Sequence, residues 1–196
     1  MPTDNLPMLT LASSSPRRRD LLKEAGYKFE VIPPHLPEPT DLPANLSPTE
    51  YAEYLAHFKA NCVAESHPDK CVLGADTVAA VNGKIIGKAG DANHAITMLT
   101  ELSHTPHKVI TGIALIGPGN KCSIAAETTI VTMKPMTPRE IQDYVDSGEW
   151  VGKAGAYAIQ ETADRFVEKI DGSFSNVVGL PMELLLQLLT LSRRVL

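Results

Sequence analysis

Short apolar runs alternate with amphipathic stretches along the chain, and most are closed by a recognisable cap or turn. Leu9 to Ala12 is an apolar run of buried-strand length. Ser13, Ser14 and Ser15 follow it. Ser15 then reads as the N-cap and Pro16 as the first residue of a helix that Leu21, Leu22 and Ala25 make amphipathic and Gly26 ends. Tyr27 to Ile32 alternates like a strand, and Pro33 to Pro43, with five prolines, is irregular. Ser47-Pro48-Thr49-Glu50 opens a second helix with a capping box, and Tyr51, Leu55, Phe58 and Cys62 share one of its faces. Val72-Leu73 and Val78 to Val81 are strand-like, and Asn82-Gly83 turns the chain back through Lys84 to Ile86.

Asp91 caps a third helix with Ala95, Ile96, Leu99 and Leu102 inward. Lys108 to Ile116 and Lys121 to Met133 form a long hairpin around Gly117 to Asn120. Thr137-Pro138-Arg139-Glu140 repeats the helix-start signature, and Gly148 ends that helix. Trp150 to Gln160 is a glycine-rich loop feeding a short strand. Phe166 to Ile170 is a strand, Asp171-Gly172 a turn, and Met182 to Leu191 the last helix. No repeat, low-complexity tract or linker divides the chain. The order predicts one mixed α/β (α+β) unit over residues 1–196, built on a mixed sheet, with residues 1–7 as a short extension.

Composition narrows the function. The net charge of −5 excludes a general polyanion binder, so any phosphate site has to be a local basic cluster. Aromatic residues make up only 5% of the chain, too few for a base-stacking nucleic-acid platform. The three cysteines (Cys62, Cys71 and Cys122) form no CxxC pair and point to a reducing compartment. No run of about 18 apolar residues occurs, and the N-terminus lacks the layout of a signal peptide. A cytoplasmic protein without membrane or nucleic-acid partners is expected.

Several residues carry candidate chemistry. Arg17, Arg18 and Arg19 occupy a first helical turn, where the macrodipole already disfavours cations by roughly 0.3–1 kcal/mol each. A bound phosphate would reverse that sign, with Ser13, Ser15 and the free N–H groups as further donors; the alternative is an exposed basic turn. Asp76 lies in an apolar surround beside Thr77, a costly place for a carboxylate unless it is paired or holds Mg²⁺ or a catalytic water. Glu38 stands on the proline-set loop, as a placed ligand or a solvated carboxylate. Lys59 suits a helix end without any substrate. Lys88 can reach a phosphate or lie on the surface. Gln160 can read a base edge or bond the backbone.

Taken together, LASSSPRRRDLL, LAHFKA at 55–60, GADT at 74–77, IIGKAGDANHA at 85–95, MLTELSHTPHKVITG at 98–112, GEWVGKAGAYAIQ at 148–160 and GSFSNVVGLPMELL at 172–185 resemble the Maf family of nucleoside triphosphate pyrophosphatases. The resemblance implies an elongated mixed-sheet α/β fold with two lobes around a central cleft, similar to inosine triphosphate pyrophosphatases. It implies hydrolysis between the α and β phosphates with Mg²⁺ or Mn²⁺, cleaning of the nucleotide pool, and a homodimer. Some members are linked to arrest of cell division.

Residue by residue, the family's phosphate-binding serines and arginines fall on Ser13, Ser15, Arg17 and Arg18, and its catalytic aspartate on Asp76. Its lysines fall on Lys59 and Lys88, its glutamine on Gln160 and its acidic metal ligand on Glu38. The chain has Ala89 for the usual proline after Lys88, Ala158 for a usual glycine, and Pro37 where a second carboxylate often precedes Glu38.

The KAGAYAIQ segment resembles the branch acting on dTTP and UTP rather than that acting on 7-methyl-GTP or an enzyme for ITP. The implied mechanism has Arg17, Arg18, Lys59 and Lys88 neutralising the triphosphate, Glu38 and Asp76 holding the metal, and Asp76 activating water. A non-catalytic nucleotide-binding regulator of septum formation is the alternative.

Overall fold

The computed structural model describes residues 6–43, 45–157, 159 and 162–194. The described strands form a single sheet: β1 (Leu9–Ala12), β2 (Phe29–Val31), β3 (Cys71–Val81), β4 (Lys84–Ile86), β5 (His107–Gly117), β6 (Lys121–Met133) and β7 (Val167–Asp171). Their order is β2-β1-β3-β5-β6-β7, with β4 also on β3. β1 pairs in parallel with both β2 and β3, and every other pairing is antiparallel. The helices are α1 (Pro16–Glu24), α2 (Pro48–Ala64), α3 (Ala92–Leu102), α4 (Pro138–Asp146), α5 (Phe174–Val178) and α6 (Met182–Arg194).

β3 departs from the sequence reading. Val72-Leu73 and Val78 to Val81 are parts of one eleven-residue strand, so Asp76 is mid-strand rather than between two strand segments. The strand continues through Gly74-Ala75 because β5 pairs with it from Val72 to Ala80. The other edge of β3 is divided. β1 pairs with Cys71 to Gly74, and β4 pairs with Ala79 to Val81. Between them, Ala75 to Val78 have no strand on that side among the described residues, and a cleft opens there.

Two apolar clusters flank this break. One joins Leu9, Leu11, Leu73 and Ile113 to Leu22 of α1 and Leu185 and Leu189 of α6. The other gathers Val81, Val109 and Val131 with α3, α4 and the Ala156–Tyr157 segment. α2 crosses the sheet where the two lobes meet. Its alanines 52, 56 and 60 follow one another at the four-residue helical spacing and are fully buried. They lie over Gly74 and Gly112, where a Cβ would stand 2.2 Å from Ala56 O and 2.4 Å from Ala52 O respectively.

The capping boxes at Ser47 and Thr137 form as expected. Asn82 and Gly83 take the positive φ values (50° and 78°) of the hairpin turn. The short helix α5 was not expected, and the 150–160 loop contributes only an isolated bridge, Lys88 to Ala154, among the described residues.

Candidate active site

Strand alternation sends Asp76 to the α2 face of the sheet and Thr77 to the other, so consecutive residues serve two sides of one cleft. On the α2 face, Lys59 Nζ lies 2.5 Å from Asp76 Oδ1 and 2.7 Å from Glu38 Oε1. One ammonium therefore joins carboxylates from the middle of β3 and from the proline-rich loop. The sequence reading of Lys59 as a helix-end lysine does not hold. α2 runs on to Ala64, so the end dipole lies past Lys59, and two carboxylates account for its position.

The two acids differ in their surroundings. Asp76 is buried, and desolvation raises its carboxyl above the ordinary range, although Lys59 and Arg18 pull the other way. For Glu38 burial also acts upward and is the largest single influence. The Lys59 hydrogen bond and charge, with Lys88 and Arg18 behind them, outweigh it and hold this carboxyl below the usual range.

On the Thr77 side, Arg18 spreads its guanidinium over three acceptors. Nε donates to Gly179 O (2.8 Å), one terminal nitrogen to Ser13 Oγ (3.2 Å) and the other to Thr77 Oγ1 (3.1 Å). Thr111, directly across the ladder from Thr77, donates to Asn176 O at 3.0 Å. Its oxygen is thus left to accept from Thr77, 2.9 Å away. Asn176 is fully buried and donates to Val109 O and Thr129 Oγ1. Thr111, Asn176 and Gly179 escaped the sequence reading, because a register partner and a helix-end carbonyl leave no local signature.

Ser15 has N-cap backbone angles, but its hydroxyl makes no cap bond; Ser13 Oγ instead accepts from Ser15 N at 3.2 Å. α1 thus begins on the cleft with no acidic residue in its first turn. A hollow of about 400 Å³ contains this assembly, lined by Ser15, Glu38, Asp76 and Thr77 among others. Among the described residues, Arg17, Arg18, Lys59, Lys88 and Lys153 also line it, beside the carboxylates of Glu38 and Asp76, in a chain of net charge −5. The local field therefore attracts a polyanion that the molecule as a whole repels.

Lys88 is brought to the cleft by its bridge to Ala154 and by the Gly155 N to Gly87 O bond. Of the residues singled out from the sequence, Ser13, Ser15, Arg17, Arg18, Glu38, Lys59, Asp76, Thr77 and Lys88 converge here. Gln160 and Ala158 lie outside the described residues.

The donor set fits a hard divalent cation. Glu38 and Asp76 each present a carboxylate to one point, and each uses a single oxygen on Lys59. Among the described residues no group of three or more His, Cys, Asp or Glu side chains is placed to hold a metal. Two carboxylates completed by phosphate oxygens and water is the way Mg²⁺ is usually held.

The Maf-like protein family matches residues 8–191. A dTTP/UTP pyrophosphatase of Pelotomaculum thermopropionicum is 44% identical over 182 residues, covering 92% of this chain and 94% of that one. A dTTP/UTP pyrophosphatase of Symbiobacterium thermophilum is 43% identical over 185 residues, 94% of each. Among solved structures, a nucleoside-triphosphatase (dITP/XTP pyrophosphatase) of Mycobacterium abscessus aligns with a TM-score of 0.41 and 16% identity, covering 66% of this chain and 75% of that one.

Proposed function

This chain belongs to the Maf family, and from that premise we propose that it hydrolyses nucleoside triphosphates, dTTP and UTP first among them, to the monophosphate and pyrophosphate. The observation that carries the reading is the junction of Lys59, Asp76 and Glu38 at the open edge of β3, facing the arginine-rich start of α1. Relatives named for this activity align over nearly the whole chain and support it.

The nucleoside end of the substrate lies against Val78, Val109 and Tyr157, and the phosphates lie on Arg17, Arg18, Lys88 and the first turn of α1. Arg18, already fixed by three bonds, holds its charge in place before substrate arrives, so little reorganisation accompanies the reaction. Arg17 and Lys88 supply further positive charge to the leaving pyrophosphate.

Asp76 accepts a proton from the attacking water. Its raised pKa makes it a better base than an exposed carboxylate. Lys59 keeps Asp76 and Glu38 at a common point. Glu38 and Asp76 would hold a divalent cation (Mg²⁺ or Mn²⁺), which when bound would withdraw charge from the phosphate oxygens. Gln160 is assigned to the base. A cytoplasmic homodimer that cleans the nucleotide pool completes the proposal. No described helix is long and apolar enough to cross a membrane.

The test is pyrophosphate release, separated from orthophosphate release, with dTTP, UTP, CTP, ITP and 7-methyl-GTP, with Asp76→Asn as control. Monophosphate and pyrophosphate from dTTP or UTP, lost in the variant, are expected. Turnover of 7-methyl-GTP alone would overturn the substrate assignment. Tight nucleotide binding without any hydrolysis would make the protein a nucleotide-binding regulator instead.

A further inference from the structure

The charged junction belongs to two hollows. The first, described above, is walled by apolar side chains such as Val78, Ile85, Val109 and Tyr157. The second, about 600 Å³, shares Ser15, Arg17, Arg18, Glu38, Lys59 and Lys88 with it and continues past them to Pro33, Pro34, Leu36, Phe58 and Val151. Pyrophosphate is a small, fully polar leaving group that the shared charged part alone would hold, whereas the hollow extends beyond that part to an apolar lining. The rims do not suit it either. Leu36 is 49% exposed on the proline loop, and Val151 is 63% exposed on the loop that carries Lys153. Large apolar side chains held in water at the end of a cationic track match a ligand with a phosphate chain in its middle and an apolar-faced group at each end.

We propose that the second hollow is a subsite for the distal nucleoside of a dinucleoside polyphosphate, so that the protein also cleaves compounds such as diuridine tetraphosphate. The inference rests on the pyrophosphatase reading and extends it. One nucleoside occupies the first hollow. The shared arginines and lysines neutralise the phosphate chain, and the second nucleoside lies between Leu36 and Val151.

Water attacks the phosphorus nearest the first nucleoside, and its oxygen bonds to that phosphorus while Asp76 takes the proton. The bond from that phosphorus to the bridging oxygen breaks, and its electron pair leaves with the oxygen. Diuridine tetraphosphate and water thus give UMP and UTP, and UTP re-enters as an ordinary substrate.

The experiment follows the full-length protein with Mg²⁺ on diuridine tetraphosphate and on UTP, with products separated by ion exchange and the reaction run in isotopically labelled water. UMP and UTP as first products, with the label in UMP, are expected, at a kcat/KM within about tenfold of that for UTP. Leu36→Ser and Val151→Ser should each lower kcat/KM for the dinucleotide about fivefold and leave that for UTP within about twofold.

UTP hydrolysis without dinucleotide hydrolysis would refute the subsite and leave the pyrophosphatase reading standing. Hydrolysis of neither would refute both. Symmetric cleavage to UDP, or variants that affect both substrates equally, would refute the assignment of the second hollow.

Discussion

Gly74 of β3 lies so close beneath Ala56 of α2 that a Cβ built on it would stand 2.2 Å from the Ala56 carbonyl oxygen and 2.7 Å from Ala60 N. Both contacts are backbone, so neither can swing aside. This approach fixes the height of α2 over the sheet, and with it the reach of Lys59 to Asp76, two residues beyond Gly74. Gly74→Ala should therefore cost stability by at least the 1–3 kcal/mol or so of an overpacked core, and lower turnover as well, because Lys59 is lifted from its carboxylates. Gly117→Ala is the control, since its Cβ would meet nothing nearer than 3.8 Å. Urea unfolding of the two variants beside wild type is the check. Equal midpoints for Gly74→Ala and wild type would mean that the helix is not held by this contact.

Asp76 should separate activity from stability. Its carboxyl titrates above the ordinary range, so the ionised form is less favourable in the folded chain than in the unfolded one. The sign follows: this group favours folding most below its unfolded value and loses that contribution as pH rises through the raised folded one. Asparagine mimics the protonated carboxyl. At pH 7 without metal, Asp76→Asn should melt no lower than wild type, and higher if desolvation outweighs the loss of the Lys59 partner. Its turnover should fall by several orders of magnitude. Thermal melting in a chelator, beside the pyrophosphate assay, reads both. A variant that melts well below wild type would show that the Lys59 pair stabilises the fold more than burial of the charge costs.

How much of this was legible depended on how local each signal was. The Asn82-Gly83 turn and the capping boxes at Ser47 and Thr137 rest on residues a few positions apart, and they stand as read. Gly112 also carried a signal, since a lone glycine within a strand marks close backbone approach, whereas Gly74 fell between two segments read as separate. The helix each one met could not be named from one chain. The junction of Glu38, Lys59 and Asp76 joins a loop, a helix and a strand. Only the family resemblance put those three together beforehand. The Thr77–Thr111 pairing depends on the β3–β5 register, and the division of the β3 edge depends on where β1 stops and β4 starts. Neither fact is written in any one segment.

Arg18 and Arg17 should respond differently to the same change. Arg18 binds Ser13 at the end of β1, Thr77 on β3 and the Gly179 carbonyl after α5. A lysine ammonium cannot span three acceptors arranged around a planar fork. Arg18→Lys should lose on the order of 1.5–3 kcal/mol of stability and raise KM for UTP by tenfold or more. Arg17 makes no protein hydrogen bond among the described residues, so Arg17→Lys should leave the unfolding midpoint unchanged and raise KM alone. If both variants shift stability equally, the division between an arginine that also braces the fold and one that serves the substrate alone is wrong.

His107 makes the stability of the protein depend on pH in a window set by its burial. It opens β5 in the second lobe, almost wholly inaccessible, with Nε2 2.7 Å from the Tyr157 hydroxyl and the two rings edge to face. Desolvation pulls its pKa from 6.5 down to about 4. Above pH 6.5 the ring is neutral whether the chain is folded or not, and nothing is lost. As pH falls from 6.5 towards about 4, the unfolded chain takes up a proton that the folded chain refuses, so stability declines, and below about 4 this contribution levels off. The full loss is on the order of 3 kcal/mol.

Glutamine keeps a polar group that can meet Tyr157 but does not titrate. His107→Gln should therefore be less stable than wild type at pH 7.5, by the imperfect replacement of a packed ring, and should close most of that gap at pH 4.5. Comparing the two proteins at each pH cancels the carboxylates they share. Urea midpoints at the two pH values decide it: a gap that stays constant would mean that His107 accepts its proton in the folded state as readily as in the unfolded one. Because Tyr157 also walls the hollow assigned to the nucleoside, the variant should raise KM for UTP more than it lowers kcat at pH 7.5.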